Sequence, residues 1–332
     1  MRQRSIHLVW LVALAACRVE WGAATSAGDA GGESSGDVMV YTSAYPPVVA
    51  ALDALAKTAV SDTRIRWFQA GSEKLAARLD AEILAGNPGA DLLMSSDPVY
   101  YVRLKRAGAL VPYASLRSLK LDRRYVDADG AFVACRLSAM GLVYLDPAPP
   151  PRAFADLLEP RLTGKVTLPD PLGSGTMFST LLVLDQRAPN TIAQALRKNR
   201  ATSSGGGTAV VDRILRGEAS AGVALVENAL MAKNARLHFV VPSDGAVVVP
   251  GHLAIVKGTK QSAAAKRVYD FLLSEAAQRI FIANHLHSPF AELPAPDGAP
   301  PLAALESAPI DWPALADHAD AVRAEWAKAF RE

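Results

Sequence analysis

From residue 38 onward, short β-branched stretches alternate with amphipathic helices, and this rhythm leaves few architectures open. Residues 38–42 (VMVYT) predict a strand, 48–60 a helix, 64–68 a strand, 72–84 a helix, 91–94 a strand and 98–107 a helix. Within 72–84 the side chains Leu75, Leu79 and Ile83 recur every fourth residue and form one stripe suited to packing on a sheet. Strand and helix in this order predict parallel βαβ units. Residues 132–145 predict one long extended segment, which Pro147, Pro149, Pro150 and Pro151 break. A second α/β set follows, with strands at 165–168, 221–226, 239–242, 246–249 and 252–256. Its helices fall at 176–184, 208–216, 229–234, 263–273 and 275–283, and a surface helix closes the chain at 312–330. The 332 residues are too many for one simple core and suit two lobes. No short internal repeat is visible.

The N-terminus has a different character. Arg2 and Arg4 precede an apolar run over 6–16, too short for a bilayer-spanning helix, which takes about 20 residues. A positive start and a short apolar run read as an export signal. The run ends Leu14-Ala15-Ala16-Cys17, which resembles a bacterial lipobox and predicts cleavage before a lipidated Cys17. The alternative is an ordinary signal peptide cut later, after Ala24. Residues 25–36 (TSAGDAGGESSG) are small, polar and glycine-rich, a tether rather than a core segment. Once Arg2 and Arg4 are removed, the 35 cations fall to 33, against 33 acids. That balance gives no electrostatic reason to expect a nucleic-acid partner. Besides Cys17 there is only Cys135, in an apolar context that predicts a buried, inert thiol.

Several pieces, in their order, resemble a known family. They are Tyr41-Thr42-Ser43, the stretch 70–82 (AGSEKLAARLDAE), Asn87-Pro88-Gly89-Ala90-Asp91, 104–113 (LKRAGALVPY), 214–226 (ILRGEASAGVALV), 248–258, 271–279 (FLLSEAAQR) and Ser288-Pro289. Together they look like a type II periplasmic solute-binding protein of an ABC importer, in the branch of ferric-iron and phosphonate or phosphorylated-sugar binders. The resemblance implies two doubly wound α/β lobes joined by a two-strand hinge. The implied plan is a signal peptide at 1–16, a tether at 17–36, a discontinuous first lobe at 37–134 and 251–332, and a second lobe at 135–250. It also implies a monomer, exported to the periplasm or lipid-anchored on the outer membrane face, which delivers a small ligand to a membrane permease without a cofactor.

The ligand would sit at the carboxyl ends of the strands, where helix N-termini point inward. Five turns supply candidate binding residues: Thr42, Ser43 and Tyr45; Gly71 and Ser72; Ser96; Asp170, Gly173, Ser174, Gly175 and Thr176; Glu227 and Asn228. Hydroxyls at a helix start either cap backbone N–H groups or donate to an anion there, and the dipole favours negative charge. Glycine lets the backbone approach a ligand closely. The Gly173–Thr176 turn is not a P-loop, because no Gly-Lys-Ser/Thr ending follows. Residues 203–208 (SSGGGT) either line the cleft or form a mobile loop.

The ferric members of the branch carry adjacent tyrosines just after the strand that matches 221–226. Here the positions read Val226-Glu227-Asn228-Ala229. The pair Tyr100-Tyr101 lies in another turn and is expected to pack the first lobe. The expected ligand is therefore an organic anion bearing phosphate, phosphonate or carboxylate, with Glu227 and Asp170 receiving a cationic or hydroxyl portion. Ferric iron bound through other oxygens is one alternative. Another is an exported α/β enzyme acting on a phosphorylated small molecule. Arg136, on the expected hinge, either meets an anion from below or pairs with a carboxylate. His285 and His287 are expected at the surface rather than on a metal.

Overall fold

The computed structural model describes residues 36–305 and 309–331. The leader, Cys17 and nearly all of the tether lie outside those residues. The first run of elements is β1 (Val38–Thr42), α1 (Pro46–Ala59), β2 (Ile65–Gln69), α2 (Ser72–Leu84), β3 (Leu92–Ser95), α3 (Pro98–Arg106) and the short β4 (Leu110–Val111). The long β5 (Val133–Leu145) leads into the second run. That run is β6 (Val166–Leu168), α4 (Gly175–Arg187), α5 (Ile192–Lys198), β7 (Thr202–Ser203), α6 (Gly207–Leu215), β8 (Ala221–Leu225), α7 (Val226–Met231) and β9 (Leu237–Val240). The chain then returns through β10 (Val247–Val256) to α8 (Ser262–Leu272), α9 (Glu275–Ala283), α10 (Leu302–Leu305), α11 (Trp312–Ala316) and α12 (Ala319–Arg331).

The strands share one sheet in the order β2-β1-β3-β10-β5-β8-β6-β7, with β4 on β10 and β9 on β5. At one end β1 pairs in parallel with β2 and β3; at the other β6 pairs in parallel with β7 and β8. Both ends are the βαβ units that the alternation predicts. Between them β5 and β10 run antiparallel to each other and to their neighbours. They are the two crossover strands, so each lobe is a parallel half-sheet hung on a shared antiparallel pair.

The predicted strands at 246–249 and 252–256 are one strand. Val247–Pro250 pair with Met140–Leu137, and His252–Leu253 pair with Ala134–Val133. The register shifts between Gly251 and His252. A bulge absorbs the irregularity beside Pro250, which has no N–H to give to the ladder.

In α2, Leu75 and Leu79 are fully buried, as the four-residue stripe requires. Truncating either to alanine should cost about 2–5 kcal/mol. They pack with Tyr41, Leu93 and Tyr101 on one face of the first half-sheet, while Val48, Leu52, Val268 and Phe281 cover the other. Cys135 is a free, buried thiol, and burial pushes its pKa up. Among the described residues no helix is long and apolar enough to cross a membrane.

The expected closing helix is two helices that turn at Asp317 and His318. The first-lobe grouping of 251–332 also meets a difference here. Leu315, Ala319, Val322 and Trp326 are buried with Phe178, Leu181 and Leu196 of the second half-sheet's core. The physical reason is the apolar stripe of α12, which lies along α4 and α5.

Candidate functional site

A cavity of about 190 Å³ opens where the strand-to-helix turns of both lobes meet. That is below the roughly 300–1,000 Å³ typical of drug-sized sites, so it suits a small ligand. From the first lobe it is lined by Ser43, Tyr45, Gly71, Ser72 and Ser96, and from the second by Gly173, Ser174, Gly175, Thr176, Glu227 and Asn228.

Two sequence candidates stand elsewhere. Thr42 is fully buried, and its Oγ1 accepts from the Ala44 N–H at 3.0 Å, so it braces the turn instead of facing the cavity. Asp170 is drawn the other way. Its Oδ1 accepts from the Leu172 N–H at 3.1 Å, and its Oδ2 meets Arg331 at 2.9 Å.

The cavity also takes in residues that the candidate set omitted, namely Arg136, Ser138, Gly206, Gly207 and Thr208. The last three place the glycine-rich entry of α6 on the cleft. Gly207 fits there because a Cβ would fall 1.9 Å from Asn228 Oδ1.

Helix starts dominate the wall. The residues preceding α1, α2, α4 and α6 are Tyr45, Gly71, Ser174 and Gly206, and all four line the cavity. Only Ser174 caps its helix through its side chain, accepting from the Met177 N–H at 3.3 Å. The starts of α2 and α6 have no side-chain cap, so their first N–H groups remain as donors, whereas α1 opens on Pro46 and Pro47, which carry no N–H. Converging N-termini concentrate positive potential and suit an anion.

Arg136 is only 2% exposed. Its Nη2 donates to Ser43 Oγ at 3.2 Å and to Ser96 Oγ at 3.0 Å. Among the described residues no carboxylate oxygen lies within 4 Å of it in an ion pair. A bulge carries β10 past the guanidinium at Gly251, where a Cβ would come within 2.7 Å of Arg136 Cγ. A buried cation without a paired anion is costly, and an anionic ligand would offset that cost.

Across the cavity, Glu227 is fully buried and Oε1 accepts from Ser138 Oγ at 2.7 Å. Oε2 is buried with no hydrogen-bond partner among the described residues. Burial pushes the Glu227 carboxyl up to about 7, against the lowering pull of the Ser138 hydrogen bond and the Arg136 charge. Asn228 Nδ2 donates to Tyr45 Oη at 3.0 Å, and burial drives the Tyr45 phenol well above its ordinary range. The cavity thus has a cationic floor, a rim of N–H and hydroxyl donors, and one carboxyl near the balance point between its two forms.

The remaining sequence features lie off this cavity. Tyr101 Oη reaches the Leu93 and His252 carbonyls, and Tyr100 Oη reaches Asp80 and the Ala76 carbonyl, so both phenols serve the first lobe. His287 is buried rather than at the surface, because its backbone pairs with Leu137 and its Nε2 meets the Pro300 carbonyl at 2.9 Å. Among the described residues no three His, Cys, Asp or Glu side chains gather in metal-binding geometry.

Comparison with known proteins agrees with this architecture. The periplasmic binding protein AfuA of Actinobacillus pleuropneumoniae, solved with fructose-6-phosphate bound, superposes with a TM-score of 0.79 at 20% identity, covering 89% of this chain and 98% of that one. Iron-bound HitA of Pseudomonas aeruginosa also gives 0.79, at 16% identity over 88% of this chain and 99% of its own. An uncharacterized protein of Haemophilus influenzae is 25% identical over 241 residues, 66% of this chain and 68% of the relative. Residues 87–317 match the family described as bacterial extracellular solute-binding protein. With a type II periplasmic-binding fold and a family match over most of its length, the chain belongs to the bacterial extracellular solute-binding proteins that serve ABC importers.

Proposed function

We propose that the protein captures a small organic anion bearing phosphate, phosphonate or carboxylate and hands it to a membrane permease without chemical turnover. The observation that carries this reading is the buried Arg136 guanidinium, held by two serine hydroxyls and lacking a carboxylate partner within the described residues. The uncapped starts of α2 and α6 add N–H donors to the same cavity. The buried Glu227 carboxyl would take a hydroxyl or ammonium portion of the ligand, since its Oε2 has no other partner. The AfuA likeness supports the reading, because that protein was solved with a sugar phosphate. The cavity's one phenol, Tyr45, is already engaged with Asn228 and strongly disfavours its phenolate, which argues for an organic anion over ferric iron.

The ligand would contact Ser43, Ser72 and Ser96 on one side and Ser174, Thr176 and Glu227 on the other. Only a closed cleft offers both sets at once, so the ligand's differential affinity shifts the population toward closure. We place the first lobe at 37–134 and from 251, and the second at 135–250 with α12 packed on it. The chain acts as a monomer outside the cytoplasm, and the Leu14-Ala15-Ala16-Cys17 sequence supports a lipid anchor at Cys17.

Titration calorimetry with inorganic phosphate, glycerol phosphate, methylphosphonate and succinate tests the proposal. At least one should bind, and Arg136→Gln should weaken it by about ten- to a hundredfold, the worth of a hydrogen bond to a charged group. Equal affinity in both proteins would contradict the assigned role.

A further inference from the structure

We propose that Arg106 and Arg323 are positioning residues for ligand capture, strapping the C-terminal helices across the boundary between the lobes. The inference rests on the two-lobed capture reading. One end of the strap is anchored on the second lobe, where Leu315, Val322 and Trp326 are buried in the core around Phe178. Val99 of α3, a first-lobe residue, is buried in that same core, so the strap lies where the lobes touch.

The other attachments are polar and reach the first lobe. Arg106 of α3 pairs with Asp317 at 2.7 Å and donates to the Pro313 carbonyl at 3.2 Å. Arg323 of α12 stacks over the Phe178 ring of α4 at 4.1 Å and pairs with Glu73 of α2 at 3.0 Å. One side chain therefore touches both lobes. Glu73 follows Ser72, which lines the ligand cavity, so the pair also holds the start of α2.

Beyond the Val99 contact the seam is not packed throughout. A second cavity of about 230 Å³ lies inside it, lined by Glu73, Asp97, Tyr100, Arg103, Arg106 and Arg323 among others. Surfaces separated by a gap of this size can part without first breaking a continuous apolar interface. The chemistry of Glu73 links parting to the strap. Its Oε1 is buried with no hydrogen-bond partner among the described residues, so Arg323 supplies its counter-charge. Removing Arg323 leaves a half-buried carboxylate unpaired, and the remedy is to swing the start of α2 toward water. That movement opens the ligand cavity.

The test measures lobe separation directly, without ligand. Spin labels are placed at Lys57→Cys on α1 and Lys198→Cys on α5, with Cys17→Ser so that only the introduced thiols react beside the buried Cys135. The ligand-free parent protein should give a short and a longer interlobe distance, with the short one well populated. Combining Arg106→Gln with Arg323→Gln should shift that distribution toward the longer distance, and exchanging charges through Glu73→Arg with Arg323→Glu should shift it back. A purely local stabilising role would lower the melting temperature without moving the distances. Unchanged distances in the folded double variant overturn the proposal. If that variant fails to fold, Asp317→Asn, which removes a 59% exposed partner, carries the same comparison. Inorganic phosphate is then added. Failure of phosphate to shorten the longer distance counts against the ligand reading alone, since the strap is judged on the phosphate-free distances.

Discussion

Arg136 on the crossover strand β5 donates to Ser96 at the end of β3 at 3.0 Å, a contact between residues 40 positions apart. It ties the hinge to the floor of the ligand cavity. Ser96 lies beside the start of α3 and also donates its backbone N–H to Ser43 Oγ at 3.2 Å. The guanidinium is thus fixed before a ligand arrives, which reduces what binding must order.

Gly175 is one place where the two lobes approach closely at the cavity rim. A Cβ there would stand 2.7 Å from the Ser96 carbonyl oxygen and 2.8 Å from Ser72 Cβ. Backbone cannot yield as a flexible side chain does, so Gly175→Ala should hold the cleft ajar and weaken phosphate binding by about tenfold or more. The ligand-free protein should melt no lower, since alanine is favoured over glycine in a helix by about 1 kcal/mol. Unchanged affinity in calorimetry would show that the lobes need not meet there.

Ser174 and Thr176 separate capping from binding. Ser174 Oγ caps α4, while Thr176 Oγ1 has Ser174 Oγ as its hydroxyl neighbour at 3.1 Å. Ser174→Ala should therefore lower ligand-free stability by about 1 kcal/mol. Thr176→Ala should leave stability near the parent value and weaken phosphate binding. Denaturant titration beside calorimetry on both variants checks the split, and equal stability losses would refute it.

Much of the fold was legible because local pattern and burial agree. The strand at 38–42 and the helices at 72–84 and 275–283 stand where residue type and apolar spacing place them. The short helix α5 was not, since its seven residues carry too little periodicity. The candidate turns were readable from hydroxyls and glycines at strand ends, but side-chain direction was not. Thr42 turns inward to its own loop, and Asp170 is claimed by Arg331, a partner 161 positions away. Arg136 did carry a signal. A lone cation inside a long apolar strand is expensive to bury unless something anionic meets it.

Glu227 makes stability depend on pH. Burial raises its carboxyl from 4.5 to about 7, so the folded state holds the proton more tightly than the unfolded chain. Its contribution is fully present below about 4.5 and is lost as pH rises toward 7. Glu227→Gln removes that loss. The variant should be the more stable protein at pH 8, with the gap closing toward pH 4.5. Asp97, raised to about 7, and His252, lowered to about 3, also titrate, but they are common to both proteins and drop out of the difference. Denaturant titration across that range reads the gap, and a pH-independent gap would contradict the assignment.

The central claim is an organic anion seated on Arg136. Native mass spectrometry of the protein purified without added ligand tests it most directly. The account predicts a co-purified phosphorus- or carboxylate-bearing molecule on the parent chain that is lost from Arg136→Gln. An iron adduct, or the same adduct on both proteins, would contradict it.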